Sequence, residues 1–188
     1  ASWAVSGELG ALTWARLGPD AGLEDLALGL GGALHRGLAI DLPAAEAIAA
    51  LGLARPRVLD AGCGLGHGLM ALRALWPQAQ LQGVEWSPLL AWATRWRCRW
   101  ARVQRGDLWA QDWRALDLVY AFQRPESMER LWVKALAELP PGGWLVSLEF
   151  AVPGLQPHAR LQRPGQRPVW IYRTPGAHFR STSGSAGR

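Results

Sequence analysis

Between Val58 and Gly68 the chain changes character twice. Val58–Leu59 reads as a short buried strand, and Asp60 closes it. Ala61 leads into Gly62–Cys63–Gly64–Leu65–Gly66–His67–Gly68, a glycine at every second position. The helix-period segment Leu69 to Trp76 follows. Glycine admits φ > 0 and a close approach to the backbone. A glycine turn between strand and helix also aims helix N–H groups at whatever lies above it. Strand, acid, glycine turn and helix in that order make the first βα unit of an alternating fold, with a turn of the nucleotide-ligand type.

The rest of the chain repeats the alternation. The helix from Leu69 ends before Pro77, and Leu81–Glu85 reads as a second strand. Ser87–Pro88 supplies an N-cap and a proline at N1 for a helix Leu89–Arg97. Trp100–Arg105 is strand-like, and Asp117–Phe122 is an apolar fourth strand. Met128, Leu131, Trp132, Ala135, Leu136 and Leu139 form a helical stripe. Pro140–Pro141–Gly142–Gly143 stops it, Trp144–Phe150 is a fifth strand, and Val169–Tyr172 is a last short one. Residues 151–168 read as loop. The fold class expected is α/β: a Rossmann-like, doubly wound, mostly parallel sheet of about six to seven strands.

Ahead of this pattern Trp3–Val5 is a possible strand and Glu8–Leu17 a helix. Leu23, Leu26, Leu30 and Leu34 share a helical face weakened by Gly29, Gly31 and Gly32. Pro43 opens a better helix, Ala44–Leu51. The expected division is an N-terminal helical cap or oligomerisation segment over 1–42, a main domain over 43–175 and a polar tail over 176–188. A chain of 188 residues with 49% hydrophobic content is long enough for one real core.

The glycine spacing sorts the ligands. A dinucleotide loop needs G-x-G-x-x-G/A, and His67 stands where its third small residue belongs. A phosphate-loop lysine is absent, since the only lysine, Lys134, lies far away. Asp-x-Gly-x-Gly-x-Gly after a strand resembles the first motif of class I S-adenosylmethionine (SAM) methyltransferases. The resemblance runs from about Arg57 to Phe150. Asp117–Phe122, then Leu139–Phe150 and Val169–Tyr172, are similar to small single-domain protein-lysine methyltransferases related to the enzyme that methylates the ATP synthase c-subunit. Relatives often read Gly-Asp-Gly-Arg where this chain has Gly64–Leu65–Gly66–His67. They also carry a Pro-Thr segment where it has Asp41–Leu42–Pro43. The second departure touches the substrate side.

The resemblance implies a set of site residues. Asp60, Ala61, Gly62, Cys63 and Gly64 would hold the methionine end of SAM. Glu85, at the end of the second strand, would accept from the ribose hydroxyls. Asp107 would accept from the adenine amino group, the Leu108 N–H would donate to the ring, and Trp86 would lie on its face. Tyr120, which also borders the cofactor, would line the acceptor pocket with Gln123 and Glu126. In that pocket an aromatic face suits a cationic amine, and the Gln123 amide oxygen can orient it. Glu126 has a second reading, as a first-turn acid on the helix dipole after Pro125, and Glu149 is a further acid facing the crevice. No Asp/Asn cluster or His spacing suggests a metal. Cys63 reads as a packed small residue rather than a nucleophile.

The expected activity is SAM-dependent methyl transfer to a protein lysine, leaving S-adenosylhomocysteine. Methyl transfer to a small molecule, RNA methylation and a SAM-binding module without turnover stand as alternatives. The two cysteines form no framework, which suits a reducing, cytoplasmic setting. Membrane attachment is expected only if an anchor preceded Ala1. A homodimer is a further possibility. The net charge of +5 is almost all arginine. Compositional bias toward arginine is the plain reading of it, with an acidic partner such as nucleic acid, lipid head groups or an acidic protein face as the other. Arg95, Arg97, Arg99, Arg102 and Arg105 surround Trp92, Trp96 and Trp100, whose spacing of four suggests a helix face packed on the sheet or on a partner subunit. Binding of single-stranded nucleic acid or of an acidic protein surface are the other readings of that stretch.

Overall fold

The computed structural model describes Ile48 and residues 51–162 and 167–176. The expected elements ahead of Ile48 and the polar tail from 177 lie outside the described residues. The elements run β1 (Arg57–Ala61), α1 (His67–Leu75), β2 (Gln80–Glu85), α2 (Pro88–Arg97), β3 (Arg102–Arg105), β4 (Leu118–Ala121), α3 (Met128–Glu138), β5 (Trp144–Leu148), β6 (Ala159–Leu161) and β7 (Val169–Arg173). They form one seven-stranded sheet in the order β3-β2-β1-β4-β5-β7-β6. The strands from β3 to β5 are parallel, and β7 runs antiparallel to β5 and to β6.

Alternation within each strand builds two apolar layers. Val58, Leu81, Val103, Leu118 and Val146 face α1 and the small residues of α2, with Leu69, Leu72 and Cys98 opposite them. Leu59, Val84, Val119 and Leu145 face the other way, onto Met128, Leu131 and Ala135 of α3. Helices on both faces of a parallel sheet make the doubly wound α/β arrangement expected. The chain winds outward from β1 through β2 to β3, then returns to β4 beside β1. The switch point therefore falls between β1 and β4, where such sheets bind ligands at the strands' carboxyl ends. At the opposite end Arg57 closes the same strand pair. Its backbone N–H donates to Asp117 Oδ2 at 2.8 Å, and its guanidinium reaches Oδ1 at 3.2 Å. Burial raises the Asp117 carboxyl, but the hydrogen bonds and charge of Arg57 outweigh it and leave the group below its usual range.

Two expectations need correction. Residues 151–168 are not all loop: Ala159–Leu161 pairs with β7. Ala159, Arg160 and Leu161 alternate apolar and polar, but three residues between Pro- and Gly-rich stretches are too short to stand out, and pairing to β7 forms the strand. The tryptophan stripe is not packed on the sheet. The buried residues of α2 are Ala91 and Thr94, with Cys98 buried just beyond, and Trp92, Trp96 and Trp100 are exposed on the other side. The sheet side has no room for large rings: a Cβ on Gly66 would meet Cys98 Sγ at 2.8 Å and Thr94 Cγ2 at 2.9 Å. The N-terminus of α2 is as expected, with Ser87 accepting from Leu90 N–H and Pro88 in the first turn.

Candidate active site

The glycine turn lies at the switch point, but its amides face inward. The N–H groups of Gly62 and Cys63 both donate to Val84 O at 3.0 Å, Gly64 N–H donates to Glu85 Oε2 at 3.0 Å, and Gly66 N–H donates to Cys63 O at 2.7 Å. A phosphate-binding loop turns such donors toward its ligand; this one spends those of Gly62, Cys63 and Gly64 on the end of β2 and that of Gly66 within the turn. What the crevice offers instead is negative charge. Asp60 and Glu85 are 3% and 4% exposed.

Asp60 ends on the start of α1. A Cβ on Gly68 would lie 2.4 Å from Asp60 Oδ2, so only glycine lets the carboxylate reach this place. Burial first, and then the charge of Glu85, push its pKa up to about 7, against a lowering hydrogen bond from the Leu69 amide. Asp60 Oδ2 is buried with no hydrogen-bond partner among the described residues. A buried, unsatisfied carboxylate oxygen beside a second carboxylate favours a cation. Glu85 accepts from Gly64 and, at 2.8 Å, from Ser87 N–H. A carboxylate has about four lone-pair sites, so two remain for a ligand's hydroxyls.

A sulfonium cofactor with an ammonium on its methionine end and two ribose hydroxyls fits this donor and acceptor set. A diphosphate does not. Gly64 has φ 49° and nothing within 4 Å of where a Cβ would stand, so the crevice is open on that side of the turn. Trp86 stands half exposed after Glu85. Asp107 uses Oδ1 to cap the short 3-10 turn Leu108–Ala110, accepting from Trp109 N–H at 3.0 Å; its second oxygen remains. Leu108 is buried by its side chain. Ala61 and Cys63 are likewise buried. The Cys63 thiol is pushed well above its usual range by burial and by the Asp60 and Glu85 charges, which rules it out as a thiolate nucleophile.

On the β4 side the structure brings Tyr120 to Asp60 and Gln123 to Ala61 and Gly62. Tyr120 is paired in register with Asp60. Burial and the Asp60 charge hold its phenol protonated, against a smaller opposing effect of Arg167. Gln123 is buried, and its Nε2 donates to Ala61 O at 2.8 Å. The same Nε2 would lie 2.3 Å from a Cβ on Gly62, whose φ of 88° also demands glycine. With the amide hydrogens turned to Ala61, the Gln123 oxygen is the end left to accept from a ligand. Glu126 is not brought into this cluster: it is exposed in the 3-10 turn Pro125–Ser127 that leads into α3.

Glu149, just after β5, has φ 74° and is the non-glycine residue in left-handed conformation among those described. It pairs with Arg167, whose guanidinium lies 5.1 Å from the Phe122 ring centroid. Phe122 in turn stacks on Phe150 at 6.4 Å. Arg167 gave no sequence signal, because the antiparallel return into β7 brings it here. Thr94, whose hydroxyl donates to Gly64 O at 2.5 Å, was missed as well, although Ala91, Thr94 and Cys98 form a small-residue face at helical spacing that could have pointed to it. Among the described residues no group of His, Cys, Asp and Glu converges as a metal site.

The fold recurs in solved structures. An RNA methyltransferase from Salinibacter ruber in complex with S-adenosylhomocysteine is 20% identical with a TM-score of 0.64, covering 73% of this chain and 94% of that one. The SAM-dependent methyltransferase SibL, in its apo form, is 18% identical with a TM-score of 0.63, over 87% of this chain and 62% of that one. TrmN from Thermus thermophilus is 25% identical with a TM-score of 0.50, over 70% and 48%. No curated protein sequence matches. Residues 60–159, which hold both carboxylates, the glycine turn and the β4 cluster, match the ANTKMT methyltransferase domain, and the chain belongs to that family of SAM-dependent methyltransferases.

Proposed function

We propose that the methyl acceptor is a lysine amine of a protein, entering at the carboxyl ends of β4 and β5. The observation that carries this is the seat of Arg167: a cation already rests between the Phe122 ring and the Glu149 carboxylate. An aromatic face beside an acid suits a lysine ammonium in the same way. The family match and the sequence's likeness to protein-lysine methyltransferases support the same acceptor.

Bound SAM supplies an electrophilic sulfonium methyl to a nucleophile approaching in line. The chain's own residues do the rest. Glu85 takes the ribose, Asp107 and Leu108 the adenine edge, and Asp60 the cationic methionine end. The Gln123 oxygen accepts from the acceptor amine and aims its lone pair, which is catalysis by positioning. The Tyr120 phenol, kept protonated, serves as a donor and a wall, not as a base. A lysine has an ordinary pKa of about 10.4. Desolvation in the pocket and the nearby Arg167 cation both favour its neutral form, and the released proton leaves to solvent. Glu126, exposed before α3, fits the helix-dipole reading better than a catalytic one.

Incubation with labelled SAM and cell extract tests the proposal. Label should enter protein, and acid hydrolysis should recover it as methylated lysine. Gln123→Ala should lower the rate at least about tenfold with SAM still bound, because the lost contact acts on the transition state. Label found in small molecules or RNA and absent from protein would overturn the assignment.

A further inference from the structure

The exposed side of α2 is the largest feature that the methyltransferase site does not use. Leu89, Trp92 and Trp96 are 63%, 65% and 67% exposed, and Trp100, in the turn after the helix, is 39% exposed. Large exposed apolar surface of this kind marks an interaction site. The same stretch is wholly cationic. From Trp86 to Gly106 there is no Asp or Glu, while Arg95, Arg97, Arg99 and Arg102 stand exposed among the tryptophans.

We infer that this face docks the enzyme on an anionic lipid bilayer surface. Tryptophan has an apolar body and one N–H donor, and it settles at the level of lipid head groups. Arginine beside it meets the phosphates, and anionic lipid attracts each such charge. Leu89 extends the face with aliphatic surface, which an acyl boundary accepts and a stacked base does not.

Two other occupants fit less well. Single-stranded nucleic acid would stack bases on the open ring faces. Here Arg99 lies over the Trp96 ring at 5.9 Å and Arg73 over the Trp100 ring at 5.3 Å. Each guanidinium covers one face of its ring, which leaves fewer open faces for stacked bases. A two-fold contact with a second copy would set this arginine-rich face against itself, a like-charge juxtaposition that costs affinity.

Flotation of the full chain with vesicles tests the inference. It should float with phosphatidylcholine vesicles containing phosphatidylglycerol, far less with phosphatidylcholine alone, and less as salt is raised. W92A/W96A should weaken vesicle binding at least about tenfold, with melting and SAM affinity unchanged. R99E/R102E should do the same through charge, which keeps the test sound if the first variant folds poorly. Equal flotation of wild type and both variants would overturn the inference, as would no flotation at low salt. So would a dimer in sedimentation that W92A/W96A dissolves, or binding to an RNA oligonucleotide tighter than to the vesicles. Slow hydroxyl-radical oxidation of Trp92 and Trp96 in the lipid-free chain would show the face covered by the chain's own N-terminal residues, and would overturn it too.

Discussion

A carboxyl held at about 7 couples cofactor binding to pH at Asp60. Its folded pKa lies above the unfolded value of 3.8. Between those two values the unfolded carboxyl ionises while the folded one keeps its proton, so folding stability is lost as pH rises from about 4 to about 7 and is level above. Cofactor binding runs the other way. A cation beside Asp60 favours the ionised form, so SAM should take up the site with proton release below pH 7, and its affinity should fall as pH drops through that value. Calorimetry in buffers of different ionisation enthalpy reads the proton directly, and Asp60→Asn should abolish it; proton release that survives in the variant would assign the titration elsewhere. Glu85 acts through hydrogen bonds. Glu85→Ala should weaken SAM binding by about 1.5–3 kcal/mol, the scale of bonds to a charged acceptor. It would also leave the Gly64 and Ser87 amides without their partner. Both acids were legible because each ends a strand in a recognisable βα unit. Arg167 was not, because nothing local to it announces the β7 return.

Helix α2 shows how a periodic pattern can be read on the wrong side. Trp92, Trp96 and Trp100 and the set Ala91, Thr94 and Cys98 both repeat at helical spacing, and bulk alone favours burying the tryptophans. Close approach decides instead: Thr94 must reach Gly64 O and Cys98 must lie against Gly66. The helix also ends at Arg97, which leaves Trp100 in the turn before β3. Trp96→Ala should therefore change the melting temperature little, since an exposed substitution away from special contacts stays within about 0.5 kcal/mol. Ala91→Leu should destabilise by about 1–3 kcal/mol through overpacking. Thermal melts of the two variants check the pair. A large loss in Trp96→Ala together with a neutral Ala91→Leu would restore the tryptophan face to the core.

For the molecule as a whole, the parallel half of the sheet was legible because each βα unit carries its own punctuation: Gly62–Gly68, Ser87–Pro88 and Pro140–Gly143. The antiparallel edge was less so, since β6 is only three residues long, too short for its alternation to stand out, and exists by pairing to β7. The crevice that this topology opens at the switch point turns its amides inward and its carboxylates to the ligand. That polarity separates a site for a cationic cofactor from one for a diphosphate, and it can be measured without knowing the acceptor. Titrate the full chain by calorimetry with SAM and with NAD at the same pH and salt. SAM should bind and NAD should give no heat of binding, with SAM affinity reduced in Glu85→Ala. NAD binding more tightly than SAM, or a Glu85→Ala protein that binds SAM like the wild type, would contradict the account.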